Sequence, residues 1–326
     1  MEHLLNLSNK SLSLLSGKRN LLAFSAGVDS SALFFILIEH NIPFDIALVN
    51  YGLRQQAKEE ESYALELSKK YNLKAHILHA PKFESNFEKN ARDFRYSFFD
   101  NLMSNYDNLI TAHQLNDQLE WFLMRFTKGA GVHELIGLEE FSMRNNYNVI
   151  RPLLQYSKDE LISYLKSNKH NYFVDQSNFE PYYERNIFRE NFSNELLERY
   201  SDGIKRSFNY LKEDKEALSN GIIELFQYKK LFIIGYNHTY QIPRAVDQYL
   251  KKLGYLLSAS QREELKSETS IVFGGKWAVE VRENRIFIAP YSNETMSKKF
   301  KEQCRVLSVP SKIRPYLFRE KIELSF

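Results

Sequence analysis

A short run of small residues between two apolar segments is the first candidate for chemistry in this sequence. Residues 21–24 are apolar, as in a buried strand, and the apolar run 32–38 predicts a mostly buried helix. Small residues let backbone N–H groups approach a ligand closely, and the start of a helix carries partial positive charge. The run therefore predicts a phosphate-binding loop, although an ordinary turn capped by Asp or Ser would use the same residue types. Its members are Ser25, Ala26, Gly27, Val28, Asp29 and Ser30.

A second candidate is the polar face of a helix predicted to begin at His113. At about 100° per residue, the polar side chains fall within one face and the apolar ones on the opposite side. Carboxylates such as Asp117 and Glu120 are ligands that Mg²⁺ prefers, and His113 suits a hydrogen bond to a ligand. A solvated polar face would show the same pattern. The polar set is His113, Asn116, Asp117 and Glu120.

Three arginines are candidates for binding anions. The guanidinium group is permanently charged and its fork shape matches phosphate and carboxylate. Arg185 and Arg189 are one turn apart if their segment is helical, and Arg151 lies further upstream. The alternative is that these arginines form salt bridges with nearby acids, namely Asp175, Glu184 or Glu190.

Strands and helices alternate through the first half of the chain, which predicts an α/β fold with a doubly wound parallel sheet. In such sheets ligands bind beyond the carboxyl ends of the strands, so we expect the segments that follow three strands to meet at one edge. The predicted strands are 21–24, 44–50, 75–79 and 108–112. The segments that meet are 25–30, 50–54 and 111–117.

The second half of the chain differs in character and predicts a separate domain. We place the boundary between a catalytic domain, 1–200, and a C-terminal domain, 201–326, with a long polar helix over 190–226 and a β-meander over 270–289. The tail is basic with interleaved aromatic residues, so it suits contact with RNA, although a solvated basic face would look alike. Its cations include Lys298, Lys299, Lys301, Arg305, Lys312 and Arg314.

Composition narrows the class of protein. The 326 residues are 43% hydrophobic and carry a net charge of +3, which permits an RNA partner. Cys304 is the sole cysteine, so a disulfide framework or a multi-cysteine metal site within the chain is excluded. No apolar run reaches membrane-spanning length and the N-terminus lacks the pattern of a signal peptide. We expect a cytoplasmic protein without a membrane partner.

Segment 25–30 resembles the S-G-G-x-D-S loop of the PP-loop ATP pyrophosphatases, with Ala26 at the first glycine position. It is not a Walker A loop, because no lysine follows. Further segments, in order, resemble motifs of the tRNA(Ile)-lysidine synthetases, with Gln114 in place of His and Asn116 in place of Asp. They are 50–54, 91–96, 111–120, 125–131, 151–154, 174–178 and 184–189.

The resemblance implies a PP-loop, Rossmann-like catalytic domain followed by a helical linker and a small α+β domain. It implies that ATP adenylates the wobble cytidine of a tRNA(Ile) with a CAU anticodon, and that L-lysine then displaces AMP to give lysidine. Mg²⁺ would bind Asp29 and Asp117, while loop 25–30 with Asn50 and Arg54 would bind ATP. The resemblance also favours a homodimer.

The same resemblance assigns roles to the remaining candidates. Either His113 or Glu120 would accept the proton of the lysine amine, and cationic groups would neutralise the charge that develops on phosphate. The implied catalytic residues are Asp29, His113, Asp117, Glu120 and Arg185. The implied contacts to tRNA or lysine are Arg95, Arg151, Asn178, Arg185 and Arg189.

Three other functions compete with this one. PP-loop tRNA thiolases generally use cysteines, and the position of Cys304 in the tail weighs against that chemistry. An amide ligase of the kind that makes NAD or GMP does not suit the motifs after Thr111. A non-catalytic RNA-binding protein is disfavoured by the acidic residues, although Ala26 and Asn116 depart from the catalytic pattern.

Overall fold

The computed structural model describes residues 4–52, 56–174 and 184–322. The predicted site residues Arg54 and Asn178, and the alternative acid Asp175, lie outside these ranges. Contacts between Cα atoms divide the chain into two compact units, Met1–Lys212 and Glu213–Phe326.

The first unit alternates strands with helices, as its hydrophobic pattern predicts. Its strands are β1 (Asn20–Ala23), β2 (Phe44–Asn50), β3 (Ala75–His79), β4 (Asn108–Ile110), β5 (Phe141–Arg144) and β6 (Tyr147–Ile150). Its helices are α1 (Asn9–Leu15), α2 (Val28–Glu39), α3 (Gln56–Lys70), α4 (Phe87–Leu102), α5 (Leu115–Phe126), α6 (Val132–Leu135), α7 (Lys158–Ser167), α8 (Glu184–Phe188) and the start of α9 (Asn194–Ser219).

The six strands form one sheet in the order β3-β2-β1-β4-β6-β5. All neighbouring pairs are parallel except β5 and β6, which form an antiparallel hairpin at one edge. The order reverses at β1, whose neighbours are β2 on one side and β4 on the other. The predicted doubly wound sheet is confirmed, and its switch point lies at the carboxyl end of β1.

Both faces of the sheet are covered, which explains the continuous apolar character of β1. Leu21 and Leu22 are both fully buried and belong to apolar clusters on opposite faces. Leu22 packs with α2 and α7, while Leu21 packs with Phe99 of α4. Helix α2 is apolar around most of its circumference because it is buried almost throughout.

One helix boundary in the first unit differs from its prediction. Helix α5 begins at Leu115, after an N-cap at Gln114, so His113 precedes the helix instead of lying on its first turn. The reason is local: Gln114 and Asp117 form a capping box, which fixes the start of the helix.

The second unit holds an antiparallel sheet with strands ordered β7-β8-β11-β10-β9. The strands are β7 (Ile223–Tyr228), β8 (Leu231–Gly235), β9 (Ser270–Phe273), β10 (Trp277–Arg282) and β11 (Arg285–Pro290). The helices are α10 (Ile242–Lys252), α11 (Ala259–Glu264), α12 (Lys298–Val306) and α13 (Arg314–Glu320). The last three strands are the predicted meander.

The predicted polar helix over 190–226 is wrong at both ends. A π-helical turn, Arg189–Ser193, precedes α9, and α9 ends at Ser219. Gly221 has φ of +97°, a conformation that favours glycine and ends the helix, and β7 follows. Among the residues that the structure describes, no helix is long and apolar enough to cross a membrane.

Candidate active site

The loop 25–30 joins β1 to α2 at the switch point of the sheet. Ala26 is fully buried with φ of +59°, the left-handed conformation that glycine adopts more easily. Its carbonyl accepts a hydrogen bond of 2.9 Å from the N–H of Phe173, which ties the loop to the chain beyond α7. The loop is therefore held by its backbone.

Serine side chains close the loop on itself. The Ser30 hydroxyl accepts from the N–H of Ser25 at 3.2 Å and donates to the carbonyl of Gly27 at 3.2 Å. Gly27 is the N-cap of α2, and no side-chain hydrogen bond from a described residue caps that helix. The predicted alternative of a cap by Asp29 or Ser30 is therefore not observed, and the start of α2 suits an anion.

Asp29 follows the loop in the first turn of α2. Its Oδ1 is buried and has no hydrogen-bond partner in the part of the chain that the structure describes. Burial, reinforced by the negative charge of Asp117, raises the pKa of Asp29 to about 7. A buried carboxylate oxygen without a donor fits a cation ligand.

The first turn of α5 brings Asp117 to the same edge. Asp117 Oδ2 accepts from the N–H of Gln114 at 2.9 Å, and Gln114 Oε1 accepts from the N–H of Asn116 at 2.5 Å. Asn116 Oδ1 accepts from the N–H of Lys158, the first residue of α7, at 3.0 Å. The two departures from the family motif therefore have structural tasks: Gln114 caps α5 and Asn116 joins α5 to α7.

Two arginines, one from α8 and one from the π-helical turn, form ion pairs with the carboxylates of α5. Arg185 donates to Asp117 Oδ1 and, through Nε, to Glu120 Oε2 at 2.6 Å. Arg189 donates through Nε to Glu120 Oε1 at 2.7 Å. Burial opposes the charge of Arg185, but the two carboxylates outweigh it and raise the pKa of that guanidinium. Glu120 is fully buried, with an arginine on each oxygen.

The helical spacing predicted for Arg185 and Arg189 is confirmed, and both point at the same carboxylate. Of the acids expected as alternative partners, Glu184 and Glu190 form no ion pair with these arginines, and Asp175 lies outside the described residues. Glu184 instead pairs with Lys128 at 2.8 Å on the surface.

His113 lies between these helices and a group of arginines. Its Nδ1 is 2.9 Å from the hydroxyl of Thr111. Burial lowers the pKa of His113 to about 4. The positive charges of Arg151, Arg185 and Arg95 also lower it, whereas the negative charge of Asp117 opposes the shift. The imidazole is therefore neutral at neutral pH.

Arg95 and Arg151 contribute positive charge at this edge without an ionic partner among the described residues. Arg95 is exposed on α4. Arg151 donates through Nη1 to the carbonyl of Glu139 and the hydroxyl of Ser142, while its buried Nε has no partner. Burial lowers the pKa of Arg151.

Asn50 ends β2, and its side chain is engaged in the local turn. Its Nδ2 donates to Glu61 Oε2 at 2.6 Å and its Oδ1 accepts from the N–H of Gly52 at 2.8 Å. The structure thus shows the Asn50 side chain shaping the strand end. Binding of nucleotide by this residue stays a prediction.

Lys158 lies beside Asn116 and is not among the site residues predicted from the sequence. It begins α7, whose start is fixed by a capping box formed by Ser157 and Glu160. One signal was available: a cation in the first turn of a helix opposes the helix dipole, which favours acids there.

The chain matches the family model of the PP-loop domain over residues 2–196. It is 44% identical over 324 residues to the tRNA(Ile)-lysidine synthase of Campylobacter jejuni strain RM1221, with 98% of this chain and 99% of that relative covered. It is 42% identical over 308 residues to the tRNA(Ile)-lysidine synthase of Wolinella succinogenes, with 94% of each covered. The chain belongs to the tRNA(Ile)-lysidine synthase family. The resemblance found in the sequence motifs is thereby confirmed.

A solved structure supports the fold of this family member. The U34-tRNA thiolase NcsA of Methanococcus maripaludis is similar with a TM-score of 0.50 at 18% identity, covering 63% of this chain and 77% of that one. At such identity the likeness concerns the fold alone. Cys304 is fully buried in the C-terminal unit, which does not suit thiolation.

Proposed function

We propose that this enzyme forms lysidine on tRNA(Ile) with a CAU anticodon. ATP adenylates the C2 oxygen of the wobble cytidine and releases pyrophosphate; the ε-amine of L-lysine then attacks C2 and AMP leaves. The observation that carries this proposal is the convergence of Asp29, Asp117 and Glu120 with Arg185 at the switch point of a PP-loop sheet.

The first step needs a site for the triphosphate. Loop 25–30 and the uncapped start of α2 suit the pyrophosphate part, since backbone N–H groups and the helix dipole favour anions there. Arg185 lies beside the carboxylates of Asp117 and Glu120, where its positive charge can oppose the negative charge that develops on phosphate. Arg95 and Arg151 extend the positive region around His113 and suit the phosphates of tRNA or the lysine carboxylate.

Magnesium fits the carboxylates present. The unpartnered Oδ1 of Asp29 and the neighbouring Asp117 would hold Mg²⁺, which would neutralise phosphate charge when bound. In residues 4–52, 56–174 and 184–322 no group of three or more His, Cys, Asp or Glu side chains forms a metal site. Two carboxylates completed by phosphate oxygens are the usual arrangement for Mg²⁺.

The second step needs an acceptor for the proton of the lysine amine. Both oxygens of Glu120 accept hydrogen bonds from arginines, so neither could take a proton from the amine without losing one of these bonds. His113 is neutral, and its Nδ1 is engaged by Thr111 while Nε2 contacts no described hydrogen-bond partner. On this geometry we propose that His113 relays the proton: its lowered pKa favours rapid release of the proton to solvent, and Glu120 has a positioning role.

The C-terminal unit is the proposed contact for the body of the tRNA. Lys298, Lys299 and Lys301 are exposed on α12 and form no ion pair with a described residue. A homodimer and a cytoplasmic location belong to the same proposal, and the mass of the particle in solution tests the first.

The reaction is tested by incubating the protein with Mg²⁺-ATP, labelled lysine and a CAU tRNA(Ile) transcript. We expect pyrophosphate release and label on the RNA, both lost in Asp29→Ala, while a tRNA(Met) transcript with the same anticodon stays unlabelled. Pyrophosphate release without label would overturn lysine as the nucleophile. Absence of both signals with tRNA bound would favour a non-catalytic RNA-binding protein.

A further inference from the structure

One cation beside the loop 25–30 has no ionic partner in the part of the chain that the structure describes. Lys158 is the first residue of α7 and is partly exposed, and its ammonium forms no ion pair or hydrogen bond with a described residue. We infer that Lys158 binds the β- or γ-phosphate of ATP and supplies from a neighbouring helix the cation that the loop itself lacks. This inference rests on the proposed use of ATP at this site.

Hydrogen bonds fix the start of α7 next to the acidic residues of α5. The N–H of Lys158 donates to Asn116 Oδ1 at 3.0 Å, and Asn116 is the neighbour of Asp117 in the chain. The N–H of Ser157 donates to Glu160 Oε2 at 2.7 Å, and Ser157 Oγ accepts in return from the N–H of Glu160. The backbone of Lys158 is therefore held, while its side chain has no partner among the residues that the structure describes.

Packing places the starts of α7 and α2 at the same edge of the sheet. Leu161 and Leu165 of α7 share one apolar cluster with Leu33 of α2. Tyr164, in the second half of α7, donates its hydroxyl to Glu39 Oε1 at the end of α2 over 2.6 Å. The two helices therefore run side by side in the same direction, and Lys158 lies at the end where α2 presents Asp29.

The electrostatics agree with this placement. Burial raises the pKa of Asp29, and the positive charge of Lys158 is among the influences that oppose the rise. Glu160, an acid in the same helical turn as Lys158, is paired with Lys205 at 2.8 Å.

A lysine at this position has a small electrostatic cost that a bound anion would remove. The start of a helix repels cations, and Lys158 occupies the first helical position of α7. A triphosphate brings about four negative charges to a site whose arginines already serve Asp117 and Glu120. The ammonium of Lys158, which has no ionic partner in the described part of the chain, matches that excess negative charge.

The test compares the affinity of Lys158→Met for ATP, pyrophosphate and AMP by calorimetry in Mg²⁺ buffer. Lys166→Met is the matched control, since Lys166 is an exposed lysine in the last turn of the same helix. We expect Lys158→Met to bind ATP and pyrophosphate roughly 10- to 100-fold more weakly, with AMP affinity unchanged within about twofold. Lys158→Arg is expected to recover part of the loss, and the control to behave as the parent.

Outcomes of the calorimetry are independent of lysidine formation, because neither tRNA nor lysine is present. Equal weakening of ATP and AMP, or no weakening of either, would overturn the role of Lys158. Selective loss of ATP and pyrophosphate binding would support it even if the enzyme attached no lysine to tRNA. The melting temperature of Lys158→Met is expected to match the parent, because the bond from its backbone to Asn116 is retained.

Discussion

The Nε of Arg189 donates to Oε1 of Glu120 over 2.7 Å, and the accepting carboxylate is fully buried. The other oxygen of Glu120 accepts from Arg185. A carboxylate enclosed by two guanidinium groups is stable only while all three remain, because removal of one member leaves buried charge without compensation. This arrangement makes Glu120 the group that orients both arginines toward the site.

Replacement of Glu120 by Gln tests that role. We expect Glu120→Gln to lower the free energy of unfolding by about 3 kcal/mol, since the arginines lose their counter-charge. Glu184→Gln is the control: it breaks the exposed pair with Lys128 and is expected to change stability by less than about 1 kcal/mol. Urea unfolding measures both. If Glu120→Gln kept its full stability and lost only lysine transfer, Glu120 would be the proton acceptor and His113 would not.

Replacement of Asp29 by Asn separates stability from activity. The buried Oδ1 of Asp29 has no donor among the described residues, so the charged form is unfavourable in the free protein. We expect Asp29→Asn to melt at or slightly above the temperature of the parent while pyrophosphate release falls by at least roughly a thousandfold. A variant that melted much lower would instead give Asp29 a structural role.

The sequence patterns predict the strands around the site better than the hydrogen bonds that join its elements. Residues 44–50 form the expected strand because a buried parallel strand needs an apolar run, and residues 75–79 form the expected strand at the edge of the sheet, where the side chains are only partly buried. The link from Asn116 to Lys158 joins residues 42 positions apart, which no local pattern records. Strand β7, which begins inside the predicted helix 190–226, was missed because a polar helical pattern does not show that Gly221 ends the helix with a positive φ.

The positions of Asp117 and Glu120 could be predicted from the sequence, but their ionic partners could not. Helical spacing placed Asp117 and Glu120 on one face of α5, but their arginine partners come from α8 and the π-helical turn. The motif resemblance selected Arg185 and Arg189 without showing which acids they meet. Those pairings depend on tertiary packing and became visible only in the structure.

Ala26 offers a stabilising substitution. Its φ of +59° is strained for a residue with a Cβ, so Ala26→Gly is expected to stabilise the protein by roughly 0.5 to 1 kcal/mol, after the entropy of glycine in the unfolded chain is subtracted. ATP affinity should be retained because the backbone of the loop is unchanged. The control is Ala32→Gly, in the middle of α2, which should destabilise by a similar amount. We expect the melting temperature to rise in Ala26→Gly and to fall in Ala32→Gly, relative to the parent. Changes of the same sign in both variants would contradict backbone strain at Ala26.

The lysines at the start of α12 test the proposed tRNA contact. We expect the replacement of all three lysines by Ala to leave ATP binding intact and to weaken tRNA binding about tenfold at low salt. The lysines are Lys298, Lys299 and Lys301. The dependence of affinity on salt concentration should become shallower, because fewer counterions are released from the RNA. Filter binding at several salt concentrations measures this. An unchanged salt dependence would assign these lysines to a solvated face.

The lowered pKa of His113 predicts that the free energy of unfolding falls at acidic pH. Its pKa in the folded protein is lowered to about 4, while in the unfolded chain it returns to its ordinary value near 6.5. Below pH 6.5 the unfolded chain therefore takes up a proton that the folded protein does not, so stability falls as the pH drops from 6.5 toward 4. We expect His113→Gln to lose about 1 kcal/mol less than the parent for each pH unit in this window, as measured by urea unfolding at pH 7, 6 and 5. His40→Gln is the control, and equal slopes for His113→Gln and the parent would show that the imidazole takes up its proton in the folded protein.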